Sequence, residues 1–238
     1  MNWKVVAASV LIFVLLYVPG VQAILRTWNT IVHESGHALM AVIVGGQVSS
    51  IQLFADLTGV TRSWTSTGWP MIVVSLSGYL TSSAVLLLFA WLWRKKAYNV
   101  LLGIAGVLVF ANGVFWVRNP YGLLWIIGFL VLVGLLFWKG NRSWLAFTSF
   151  GLTLTLLVDS VRAAFDIFIL SLFRSGSAGD ASLLAQTTFV PALVWGLLFL
   201  IISIWAAWQS IRLLLPAFKA QKEMAAPRVE KRPRETRG

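Results

Sequence analysis

Cysteine is absent from the 238 residues, and histidine occurs only twice. The first absence excludes disulfides, iron–sulfur clusters, cysteine-ligated zinc and a cysteine nucleophile. Charge is scarce as well: charged residues make up 11% of the chain and hydrophobic residues 58%, where an ordinary soluble domain has about a quarter charged. With a mean hydropathy of +0.82, the composition excludes a soluble domain and points to a polytopic membrane protein. Acids are scarcest, eight against 19 basic residues, for a net charge of +11. That excess does not point to nucleic acid. Seven of the basic residues follow Pro216 (Lys219, Lys222, Arg228, Lys231, Arg232, Arg234 and Arg237), and most of the others flank apolar runs. This distribution fits positive-inside topology and attraction of the tail to anionic lipid headgroups.

A bilayer-spanning helix needs about 20 apolar residues. Such runs occur at about 4–25, 68–93, 98–117, 120–138, 144–173 and 189–215, and a shorter one at about 26–45. The expected fold is therefore an all-α polytopic membrane protein of six to seven transmembrane helices, with residues 1–216 as one membrane domain. The first run reads as a retained signal-anchor, because no small-x-small cleavage site ends it. Residues 217–238 read as a basic, disordered cytoplasmic tail. Residues 47–64 alternate in polarity and contain the turn sequence Asp56-Leu57-Thr58-Gly59, which predicts a small β-hairpin. The breaks at 94–96 and 139–142 carry the most charge, so they and the tail are expected on the cytoplasmic side, and the loop 174–188 on the other. Thirteen tryptophans lie mostly near the ends of the runs, as in an interfacial belt. Ser75-Leu76-Ser77-Gly78-Tyr79 and Gly103-Ile104-Ala105-Gly106 read as small-residue packing surfaces.

Both histidines fall in His33-Glu34-Ser35-Gly36-His37, an HExxH motif flanked by hydrocarbon-compatible residues. On a helix, i and i+4 share a face, so both imidazoles can reach one metal ion while Glu34 lies close enough to act on its bound water. Two imidazoles and a carboxylate are expensive in a membrane, and such groups face a protein interior or a wet cavity. Catalytic zinc takes three protein ligands and keeps one position open. Without a third histidine or a cysteine, the third ligand must be a carboxylate. Glu34 is the candidate base, and Glu223, Glu230 and Glu235 lie in the tail, which leaves Asp56, Asp159, Asp166 and Asp180. Asp159 and Asp166 stand two turns apart on one helix face with Arg162 between them, able to pair with either. Counting depth at 1.5 Å per residue favours Asp159.

The motif does not stand alone. His33 to Leu39 is followed by Gly45-Gly46, by Gly59-Val60-Thr61-Arg62-Ser63 and by Ser77-Gly78-Tyr79-Leu80. Arg118-Asn119-Pro120-Tyr121-Gly122 and Val161-Arg162-Ala163-Ala164-Phe165-Asp166 come next, then Gly179 to Ala185 and Pro191 to Trp195. This ordered string, over about residues 25–200, resembles the site-2-protease-like membrane metallopeptidases of the M50B-like group. The resemblance implies a multi-pass zinc protease fold with Zn2+ held by His33, His37 and an acid, and Glu34 as the catalytic base. It points to Asp166 as the third ligand and to Asp180 as runner-up. The Asn-Pro-Asp-Gly type of segment that supplies the acid in better-known site-2 proteases is absent.

The resulting expectation is an intramembrane zinc metalloprotease acting on membrane-protein or peptide substrates, in a bacterial inner membrane. The hairpin is expected to hold an unwound substrate as an added strand, and Asn112 or Asn119 is a candidate donor to substrate or to a developing oxyanion. The alternatives are a metal-binding membrane protein with a structural or regulatory role and no proteolysis, and, less favoured, a transporter with these groups along a cation path.

Overall fold

The computed structural model describes residues 10–225, with side chains through 215. Residues 10–15 are helical and residues 16–20 form turns. Seven helices follow: α1 (Val21–Ile43), α2 (Trp69–Arg94), α3 (Tyr98–Phe115), α4 (Pro120–Lys139), α5 (Arg142–Phe173), α6 (Asp180–Thr188) and α7 (Ala192–Ala225). Strands β1 (Gln47–Leu53) and β2 (Gly59–Trp64) lie between α1 and α2, and a 3-10 turn, Ser175–Ser177, between α5 and α6.

The boundaries have local causes. Pro19 and Gly20, the latter at φ +82°, break the first apolar run, so α1 starts at Val21. The run expected over about 4–25 is thus divided, and its part before residue 10 lies outside the described residues. At its other end α1 closes in a Schellman motif: Gly46 N–H donates to Ala41 O (2.8 Å), Gly45 N–H donates to Val42 O (3.0 Å), and Gly45 takes φ +79°. Only a residue without Cβ enters that left-handed conformation without penalty. Asn119-Pro120 and Asn141 begin α4 and α5, the Asn141 side chain accepting from Ser143 and Trp144 N–H.

Among the described residues, four helices are long and apolar enough to cross a membrane: α2, α3, α4 and α7 over Ala192–Leu215. Of the expected six to seven spans, length and composition support these four among the described residues. Although α1 and α5 have 23 and 32 residues, they carry Arg26, Glu34 and the two histidines, and Asp159, Arg162 and Asp166, which interrupt their apolar character. They are the inner helices that present polar groups, wrapped by helices with exposed apolar faces such as Phe110, Leu124, Ile127 and Ile201. At the other end of the chain, α7 runs past Pro216 to Ala225, into the stretch read from the sequence as the start of the tail. The rest of the expected tail lies outside the described residues.

The core forms where α1 packs most extensively on α2 and α7 packs on α2 and α5. Trp28 of α1 is 1% exposed and stacks on Phe89 (5.8 Å) and Phe129 (5.5 Å). The expected hairpin is present, β1 and β2 pairing antiparallel with Ile51 opposite Thr61 and an irregularity between Val48 and Ser50. Its turn is closed by Asp56 Oδ1, which accepts from Thr58 N–H (3.0 Å) and Oγ1 (2.6 Å); these two bonds hold the Asp56 carboxyl below its ordinary range. The outer edge of β1 is taken by the α3–α4 connection. Ile51 N–H donates to Trp116 O (2.8 Å), and Arg118 N–H donates to Ile51 O (3.2 Å). The Asn119 amide completes this by bonding both Leu53 N–H (3.1 Å) and Leu53 O (2.5 Å).

Candidate metal centre

His33 and His37 lie one turn apart on α1, with their Nε2 atoms 3.0 Å from each other. The carboxylate that meets them is Asp180, whose Oδ2 is 3.3 Å from each Nε2. Zinc bonds of about 2.0–2.2 Å put two ligand atoms of a tetrahedral site about 3.3 Å apart. The three atoms thus outline one face of such a tetrahedron and leave the opposite vertex open. Among the described residues this is the group of potential donors that comes together.

Asp180 reaches the histidines because the loop expected at 174–188 folds back as a short helix. The apolar side chains of Ala178, Ala181 and Leu184 are fully buried, in a cluster with Tyr79, Ala164 and Phe199. Ser182 ties the entry turn, accepting from Ala178 N–H (2.8 Å) and donating to Ser175 O (2.5 Å). Asp180 then opens α6 at the positive end of its dipole. Burial pushes its carboxyl up, but the charge and hydrogen bonds of His37 and His33 outweigh this and hold it well below the usual carboxylate range.

Asp166, the acid to which the resemblance pointed, is not brought into this group. It stays near Arg162 on its own helix, 4.0 Å away, with a side chain 55% exposed. Asp159 is engaged by Arg26 of α1, which donates through Nε to Asp159 Oδ1 in a buried ion pair. Asp56 remains in the hairpin turn.

The surroundings of the imidazoles fit a metal. His37 Nδ1 donates to Val74 O (2.7 Å), which fixes the tautomer and leaves the Nε2 lone pair for a ligand bond. Tyr79 meets His33 edge-on, with ring centroids 4.7 Å apart, and is itself stacked on Phe199. Gly78 lies directly under the Nε2 atoms. A Cβ there would come within 2.5 Å of His33 Nε2 and 2.6 Å of His37 Nε2. Gly36 allows the same approach from the other side, where a Cβ would stand 2.7 Å from Ser77 O. The small residues of α2, expected only to permit packing, thus form the floor of the site. Nothing in the sequence distinguishes Gly78 from the other small residues of transmembrane helices.

Glu34 is buried, and its Oε2 accepts a 2.6 Å hydrogen bond from Thr61 Oγ1 on β2. Gly59 lets the hairpin come that close, since a Cβ there would stand 2.8 Å from Glu34 Oε1. The hairpin therefore positions the Glu34 carboxylate. Asn112 and Asn119 are engaged elsewhere. Asn112 Nδ2 donates to Ser35 Oγ and Leu108 O, both at 2.8 Å, and Asn119 pins β1. In this structure both side-chain amides thus donate within the protein.

His33, Glu34, His37 and Asp180 open on a cavity of about 960 Å³. One wall is β2 and the other is α5, and the cavity extends to Arg26, Asn29 and Arg162. Ile51 and Leu53 turn their backbone groups away from β2, toward Trp116, Arg118 and Asn119. In an antiparallel pair the opposite residue does likewise, so Thr61, opposite Ile51, turns its N–H and C=O to the outer edge of β2. None of the described residues takes them.

No curated protein and no solved structure matches the chain. The family model described as Peptidase M50B-like matches residues 6–210, which include the HExxH helix, the hairpin, α5 and Asp180; the chain belongs to this Peptidase M50B-like family.

Proposed function

We propose that the protein is a membrane-embedded zinc metalloendopeptidase that hydrolyses peptide bonds of membrane-protein substrates, with His33, His37 and Asp180 as metal ligands and Glu34 as catalytic base. The single observation that carries this reading is the triangle of ligand atoms, 3.0, 3.3 and 3.3 Å on a side, open toward a cavity that Glu34 also lines. Family membership supports the peptidase chemistry. When bound, zinc supplies a Lewis acid that brings the pKa of a coordinated water toward 7 and polarises a carbonyl.

The chain's own residues do the rest. Glu34 takes the water proton and passes it to the leaving amine, and the Thr61 hydroxyl holds one carboxylate oxygen so that this happens in one geometry. Asp180 offsets part of the metal charge, while Val74 O, through His37 Nδ1, keeps that imidazole oriented. A peptide bond within a helix is protected by its own hydrogen bonds, so the substrate must enter unwound. The free N–H and C=O of Thr61 can hold such a segment as an added strand, one residue pair from the base. A site of purely structural metal would have no use for Glu34 or for the hydroxyl that orients it. The basic residues near the chain's end support a cytoplasmic placement of the tail.

The test is cleavage of a reporter bearing a glycine-interrupted transmembrane segment, with both proteins in liposomes. Cutting that stops with a zinc chelator and returns with added zinc supports the proposal. Cutting that a chelator leaves untouched contradicts it.

A further inference from the structure

Arg26 carries a charged side chain that is 7% exposed in an apolar bundle. Its ion pair with Asp159 is made through Nε, and its buried Nη1 has no hydrogen-bond partner among the described residues. One turn further along α1, Asn29 Oδ1 is also buried without a partner among the described residues. Both residues line the cavity that holds the metal ligands. A buried guanidinium with an unused donor is costly unless something completes its bonding. The mechanism proposed above uses neither residue.

Their position relative to Glu34 can be read from the hairpin. Gly59 lies against Thr30 and Glu34, Thr61 against Glu34, and Trp64 against Gly46 beyond the end of α1. Thus β2 advances along α1 in the direction from Arg26 toward His37. Antiparallel addition is the commoner and slightly more stable pairing, and it also lets one substrate residue exchange both hydrogen bonds with Thr61. A substrate strand added in that sense runs the opposite way, so the residues after the scissile bond travel toward Arg26. Arg26 and His33 are seven residues apart, two turns on one face and about 10.5 Å at 1.5 Å per residue. A strand covers that distance in about three residues.

From this geometry we propose that Arg26, with Asn29 beside it, is a specificity site that reads a peptide carboxylate about three residues C-terminal to the cut. The carboxylate is either an acidic side chain or the end of the substrate chain. It receives the donor that Asp159 leaves unused, while Asn29 Oδ1 accepts a backbone N–H of the same residue. Arg162, 38% exposed on the same cavity, adds positive potential; Asp166 beside it is directed to Arg162. The proposal rests on the metallopeptidase reading for its direction and spacing, but its test does not depend on turnover.

The test uses zinc-loaded full-length Glu34→Gln protein in detergent and three fluorophore-labelled peptides that share one uncharged, glycine-containing sequence. The first has Glu at the third position after the central bond and an amidated end. The second has Gln there and continues to an amidated end. The third stops at that position with a free carboxylate. The first and third are expected to bind about ten- to hundredfold more tightly than the second, the scale of a charge-assisted hydrogen bond. Preference for only one of them supports the site and names the source of the carboxylate. In the double variant Arg26→Met with Asp159→Leu, which removes both buried charges together, the preference is expected to fall to about one while zinc stays bound. Equal binding of all three peptides, no binding of any, or a preference that survives the double variant overturns the proposal. A carboxylate preference without any cutting by the wild-type chain overturns the protease reading and leaves this site standing. With cutting, mass spectrometry is expected to locate it three residues before the Glu.

Discussion

Oδ2 of Asp180 stands 3.3 Å from Nε2 of His37, although one residue opens a short helix after α5 and the other lies in the middle of α1. The two are joined by burial: α6 docks its alanines and Leu184 on Tyr79 and Phe199, and this carries the carboxylate over the histidines. Such a convergence suits a metal ion, because an aspartate and two imidazoles that give up any Nε2 proton to it offer three lone pairs to one point.

Replacing the base should separate binding from chemistry. Glu34→Gln keeps a carbonyl oxygen that can accept from Thr61, so the hairpin stays docked. Zinc content is expected to be unchanged and cleavage to fall by about 10²–10⁴-fold, the range for a general base, in a reporter assay beside elemental analysis. Undiminished cleavage would remove Glu34 from the mechanism.

Thr61→Val takes away the hydroxyl that holds Glu34 Oε2 at nearly constant volume. Turnover is expected to drop by about ten- to hundredfold with zinc retained, and Thr61→Ser is expected to restore it. A serine variant as slow as the valine one would mean that the methyl contact, not the hydrogen bond, matters.

Gly78→Ala is ordinarily favourable in a helix, by up to about 1 kcal/mol. Here its Cβ would enter the space between the imidazoles, so zinc affinity is expected to fall by about ten- to hundredfold. Gly106→Ala, whose Cβ would meet only Val133 at 3.6 Å, serves as the control and is expected to keep its zinc. Competition with a fluorescent chelator measures both.

Asn119→Ala leaves both backbone groups of Leu53 without their side-chain partner. A destabilisation of about 1–3 kcal/mol is expected, concentrated in the hairpin. Hydrogen exchange should show faster exchange in 51–61 than in α2; uniform change across the chain would contradict the pinning role.

The parts of this site that were legible in the sequence are those governed by local periodicity. His33, Glu34 and His37 follow from the helical i, i+4 rule, and the hairpin from its alternation and turn. The carboxylate that meets the histidines was not legible by that means. Asp166 and Asp180 are both acids in the right part of the chain, and choosing between them requires knowing that 174–188 folds back into the bundle instead of looping outward. Asp159 illustrates the same limit: its partner is not the nearby Arg162 but Arg26, on a helix far away in sequence. Apolar length alone does not reveal which helices turn a polar face inward, as α1 does with its histidines and α5 with Asp159. Gly78 was unreadable because a glycine under a metal site and a glycine at an ordinary helix crossing look alike.

The most direct test of the central claim is zinc content by elemental analysis of the detergent-purified wild type, Asp180→Asn and Asp166→Asn. The account predicts near-equimolar zinc in the wild type and in Asp166→Asn, and loss of zinc in Asp180→Asn. Retention by Asp180→Asn together with loss in Asp166→Asn would contradict it and return the third ligand to α5.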